Sequence, residues 1–118
     1  MSGATTVALF DLVWVELVRV LGTPAVAVLV RRATKRAVQR RPDLDFAGLD
    51  VQHASLEYRY VLPPSWQDDA PQSREALRYL VRHELCPLLE ALTGPVVVGL
   101  LARIPELRRA DIVPEGSP

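Results

Sequence analysis

The stretch from Val7 to Val30 limits what this chain can become more than any other. It is apolar except at Asp11, Glu16, Arg19, Gly22, Thr23 and Pro24. A charge at a bilayer centre costs roughly 2.5–3.5 kcal/mol on insertion scales, so Asp11, Glu16 and Arg19 together argue against a membrane span. No positive charge precedes the run and Asp11 interrupts it early, so it does not read as a secretory signal. A pair of helices remains. The first is predicted over Thr5–Leu21, ending at Gly22, a residue that tolerates the left-handed C′ conformation. The second is predicted to open with Thr23 as N-cap and Pro24 as its first helical residue. It runs to about Arg41 and stops at Pro42.

At about 100° per residue, Val7, Phe10, Val13, Trp14, Leu17 and Leu21 share one face of the first helix. The opposite face carries Asp11, Glu16 and Arg19, with Leu12, Val15 and Val18 among them. A helix apolar nearly all round needs cover nearly all round. In a domain of 118 residues one side of each helix ordinarily meets water. The surplus therefore predicts an interface made by Leu12, Val15, Val18 and Arg19, in a homo-oligomer or with a protein partner. The competing explanation is a central helix wrapped by the others.

Beyond Pro42 the periodicity changes. Leu49, Val51 and His53 alternate, as do Leu56, Tyr58, Tyr60 and Leu62, which predicts two strands joined by a tight turn near Ala54-Ser55. Tyr58 and Tyr60 fall on one face and are expected to roof the helices. Ser65–Ala70 reads as a loop carrying Trp66. A third helix is predicted from Pro71 to Thr93-Gly94, with Asp69 close to its N-cap and Pro87 kinking it, because a proline inside a helix leaves the carbonyl four residues back without a donor. A fourth opens at Pro95 and runs to Ile104, where Pro105 breaks or restarts it. Leu21–Arg32 and Leu92–Arg103 align at a constant offset, a similarity better explained by two leucine-rich helix turns than by a duplicated unit. The expected fold is α+β and mostly helical. Two helical hairpins flank a β-hairpin, with four main helices in a single domain over 1–112 and a flexible C-terminal tail over 113–118.

Composition excludes little but excludes it firmly. At 49% hydrophobic residues, intrinsic disorder is not the main state. The 14 acidic and 14 basic residues balance, so any pull toward polyanions must be local. One local patch exists: Arg31, Arg32, Lys35, Arg36 and Arg40 cover about half of the second helix. It reads as a solvated face more than a phosphate grip, since cations favour a helix C-terminus and Asp43, Asp45 and Asp50 follow closely. Cys86 is the single cysteine, which forbids an internal disulfide and fits a reducing cytoplasm.

His83 and Cys86 lie three apart on the third helix, so they are expected to share a face, and both residue types can ligate metals. Cys86-Pro87 also looks like the short Cys-Pro motif of haem-regulated proteins. Two ligands complete no zinc site, however, and a buried structural thiol explains Cys86 as well. No cofactor is therefore expected, with His83 and Cys86 as the weak candidates. No nucleophile–base constellation, phosphate loop or paired catalytic acid stands out, so the reading leans away from an enzyme. The leading expectation is a non-enzymatic protein–protein interaction module, a cytoplasmic adaptor or regulatory subunit acting through helix surfaces as an oligomer. The alternatives are a small-ligand or haem sensor, and a nucleic-acid binder using the basic second helix.

Overall fold

The computed structural model describes residues 3–114 and is mostly helical, with a two-stranded antiparallel sheet, as the periodicity requires. Helix α1 spans Thr6–Leu21 and α2 spans Thr23–Arg40. Thr5 caps α1, its hydroxyl accepting from the Ala8 amide at 3.2 Å. Thr23, expected to cap α2, is instead its first helical residue. Gly22 ends α1 and starts α2 at once, with φ 85° and ψ 154°, a conformation open to glycine and closed to most side chains. Gly94 does the same between the later helices, at φ 66° and ψ −156°.

Strands β1 (Asp50–Ala54) and β2 (Glu57–Val61) pair with Val51 opposite Tyr60 and His53 opposite Tyr58. Only Ser55 and Leu56 separate them, a two-residue hairpin loop. Leu56, expected to extend the inward alternation, instead sits at the tip and is 96% exposed. Ser65–Ala70, expected to be a loop, contains a short helix, α3 (Pro64–Gln67), which drives Trp66 into the core with no exposed surface. There its Nε1–H donates to the Asp45 carbonyl at 3.0 Å, satisfying the one polar atom of the indole.

The predicted third helix is one continuous run with three segments: α4 (Pro71–Tyr79), a π-helical turn (Leu80–Leu85) and α5 (Cys86–Thr93). Just before Pro87, where a kink is expected, the helix widens. The Cys86 amide donates to the Val81 carbonyl, five residues back. The proline removes a donor from the ladder, and the π turn lies on the side of it where that donor is missed. Helix α6 (Pro95–Ala102) packs on α5, and Pro105 restarts the chain as α7 (Pro105–Arg109). Val113, placed in the tail by the sequence, is buried, and its carbonyl accepts from Arg82 at 3.3 Å. The last four residues of that expected tail, 115–118, lie outside the described residues.

Helix α1 touches α2, α3, α4, α6 and α7, so most of its circumference is covered within the chain. Its buried stripe is Thr6, Leu9, Phe10, Val13 and Leu17, while Val7, Trp14 and Leu21, expected to be inside, are half-buried. The helix start is tied to α4 and to the turn before it. The Thr6 amide and hydroxyl both donate to Asp69 Oδ1 at 2.9 Å, and the Thr6 and Ser73 hydroxyls lie 2.8 Å apart. Asp69, expected to cap the helix at Pro71, thus caps α1 from across the fold.

Candidate functional site

Four interface candidates were expected on α1, and the structure leaves part of their surface open. Val15 is 55% exposed and Arg19 is exposed, while Leu12 and Val18 are half-buried against the core. Arg19 is held to its own helix by an ion pair with Glu16, three residues away. Asp11 and Val15 are one turn apart, as are Trp14 and Val18, so these residues form one stripe. The stripe begins where the hairpin ends: the Tyr60 hydroxyl donates to Asp11 at 2.7 Å, and the Tyr60 ring lies 5.3 Å from that of Trp14. Burial, followed by this bond to Asp11, pushes the Tyr60 phenol well above its ordinary range, so it stays protonated as the donor.

The aromatics pack with one another and with the core. Phe10 makes edge contacts with Tyr60 at 4.8 Å and Trp66 at 6.2 Å, and Phe46 closes on Trp66 at 6.3 Å. Tyr58 stacks on His53 at 4.3 Å. Their rings are thus occupied with packing. The opening nearest to them is a shallow depression lined by Trp14, Thr23, Pro24, Leu56, Glu57 and Tyr58, and it is open to solvent.

The basic patch of α2 divides by use. Arg31 donates to the Val51 carbonyl and lies 3.5 Å from the Asp50 carboxylate, so it closes part of the β1 edge. Arg40 lies 3.8 Å from Glu84. Among the described residues no carboxylate approaches Arg32, Lys35 or Arg36 within ion-pair distance, and all three are exposed. The fully free part of the stripe is therefore three residues, not five.

His83 and Cys86 do not come together. His83 is exposed and stacks on Tyr79 at 5.1 Å, whereas Cys86 is buried. Their expected shared face fails because His83 lies in the π turn, where each residue advances through a smaller angle and a three-residue spacing no longer returns to the same side. Burial, with Glu90 adding to it, pushes the Cys86 thiol up to about 12, so it is protonated at neutral pH and is not the exposed thiolate a haem iron would need.

The sequence reading missed Glu84. This carboxylate is 2% exposed, in the middle of the π turn, and accepts from the Tyr79 hydroxyl at 2.8 Å. Burial, then the bond to Glu84, raises the Tyr79 phenol above its ordinary range. Tyr79 and Glu84 are five apart, a spacing that a helical wheel at 3.6 residues per turn separates and a π turn brings together. Arg40, the last residue of α2, and Arg41 just after it face this pair, the Arg41 guanidinium lying 5.2 Å from the Tyr79 ring centre. Among the described residues no group of three or more His, Cys, Asp or Glu is arranged to hold a metal ion, and no helix is long and apolar enough to cross a membrane. No family model, no curated protein and no solved structure matches this chain.

Proposed function

We propose that this protein is a non-enzymatic interaction module, an adaptor or regulatory subunit of the cytoplasm that works by surface contact and associates with itself. One observation carries the reading. Val15 on α1 stays open, with Leu12 and Val18 half-covered to either side of it, although five other helices already pack on α1. A helix so well surrounded has no need of valine on its last free side for its own fold, and an apolar surface flanked by Asp11 and Arg19 has the make-up of an interface with a polar rim.

Sedimentation over a concentration series tests this. The protein is expected to associate at tens of micromolar, and Val15→Arg or Val18→Glu to weaken association while leaving the helical circular dichroism intact. A chain that stays monomeric throughout, and pulls down no partner that Val15→Arg releases, would overturn the reading.

A further inference from the structure

The two edges of the hairpin are closed to different extents: β1 leaves only the outward groups of His53 unpaired among the described residues, and β2 leaves those of two residues. At β1, the Val51 carbonyl accepts from Arg31 and the Val51 amide donates to Asp50 Oδ1 at 2.8 Å, so both groups point away from β2 and are satisfied by side chains. Antiparallel pairs alternate between hydrogen-bonded and non-hydrogen-bonded. Val51 opposite Tyr60 is therefore a non-hydrogen-bonded pair, and so is His53 opposite Tyr58 two residues along. It follows that the amides and carbonyls of Tyr58 and Tyr60 point out from the free edge of β2. Among the described residues nothing bonds to them, neither backbone nor side chain. An edge with a row of unpaired groups is a template for another strand.

We propose that β2 pairs antiparallel with β2 of a second copy, Tyr58 lying opposite its own counterpart, so that two hairpins form one four-stranded sheet. Charge selects this register. With Tyr58 on the two-fold axis, Glu57 stands opposite Arg59 of the second copy and Arg59 opposite its Glu57. Both pairs are on the solvent face, where these residues are exposed. They are non-hydrogen-bonded pairs, the closer kind, which suits an ion pair. Moving the axis by one residue, a slide of two, puts Arg59 opposite Arg59, and like charges directly opposite are destabilising. The join also runs on into the α1 stripe, since Tyr60 reaches Asp11 and Trp14. The pairing thus rests on the self-association proposed above and specifies its geometry.

The test is charge reversal read by sedimentation of the full chain. Glu57→Arg and Arg59→Glu are each expected to weaken the dimer about tenfold or more, because each change places like charges opposite one another twice. The double variant Glu57→Arg/Arg59→Glu is expected to restore it. Mixing Glu57→Cys chains with Arg59→Cys chains is expected to give a disulfide-linked dimer under mild oxidation, faster than either alone. Association that is lost in Val15→Arg but indifferent to both reversals would overturn the edge pairing and leave the α1 interface standing. A double variant that stays as weak as the singles would overturn the register. A chain monomeric at all concentrations would overturn a second copy as the occupant.

Discussion

Asp69 is the residue on which acid stability is expected to turn. The Thr6 amide and then its hydroxyl, with Arg74 beside them, hold its carboxyl below the usual carboxylate range. A carboxylate with a lowered folded value stabilises fully above its unfolded value, and that contribution is lost as pH falls through the lowered one. Asp69→Ala should therefore cost about 1 kcal/mol at neutral pH, the usual size of a lost N-cap. Asp69→Asn, which tolerates the left-handed φ of 53° at this position, should cost less and flatten the fall in stability on acidification. Urea unfolding at a series of pH values checks both. Cys86 calls for a different measurement. Its protonated, buried thiol should react slowly with thiol reagents in the native protein, and Cys86→Ala should cost about 1 kcal/mol, the low end for a truncated core side chain. Rapid stoichiometric labelling at neutral pH would contradict this. The core tendency of Cys86 was readable from the chain, but the capping role of Asp69 was not. A cap donated from 63 residues away leaves no local pattern, and Asp69 beside Pro71 looks like the start of the nearer helix.

At the scale of elements, punctuation was legible and interior distortion was not. Gly22, Pro42, Pro63, Gly94 and Pro105 mark the helix and strand limits to within about two residues, the ordinary uncertainty of such ends. The π turn was legible only as a disturbance at Pro87, since no residue pattern marks where a helix widens. Here α2 lies along the turn. The bond from Tyr79 to the buried Glu84 is what the widening brings together, and it sets a prediction. Tyr79→Phe leaves a buried carboxylate short of a donor, which should cost about 1–3 kcal/mol. Arg40→Gln should cost under about 1 kcal/mol, because its side chain is 61% exposed and its reach is long. Equal costs for the two, measured by denaturant unfolding, would mean that Arg40 rather than Tyr79 holds the carboxylate. The hairpin offers a stabilising change. Ser55 sits at φ 57° as the first residue of a two-residue loop, a position that favours glycine, so Ser55→Gly should raise stability by about 0.5–1 kcal/mol.

For the whole molecule, the sequence correctly indicated a mostly helical α+β chain but overstated how much of α1 would be left bare. Periodicity shows how many sides of a helix are apolar. It does not show how many neighbours will reach it, and the short helices α3 and α7, hidden in stretches that read as loop and last turn, supply two of them. The basic face of α2 shrank for a similar reason, since Arg31 and Arg40 are engaged by a strand edge and a buried acid that no spacing reveals. With three cations left unpaired on this face among the described residues, α2 should bind duplex DNA or RNA no tighter than about 1 µM at physiological salt. Tighter binding, abolished by Arg32→Glu with Arg36→Glu, would replace the interaction reading with a nucleic-acid one.

The widened turn at Leu80–Leu85 also fixes the rotational phase between the two ends of the longest helical run. Upstream, Ala76 and Leu77 face the core; downstream, Cys86 and Leu89 do. Because the turn holds more residues than an α-helical turn of 3.6, it resets the angle at which the second half emerges. Letting the turn relax to a regular α-helix without losing a residue would rotate everything after it by about 100°, the share of the one residue it holds in excess. Leu89 would swing out of the interior, and the α5–α6 hairpin that Gly94 joins would be carried round with it. Removing one residue from this turn is therefore expected to keep Leu89 inside, whereas removing one from the regular turns of α4 or α5 is expected to turn it out, a contrast that thermal unfolding of the two deletion variants checks.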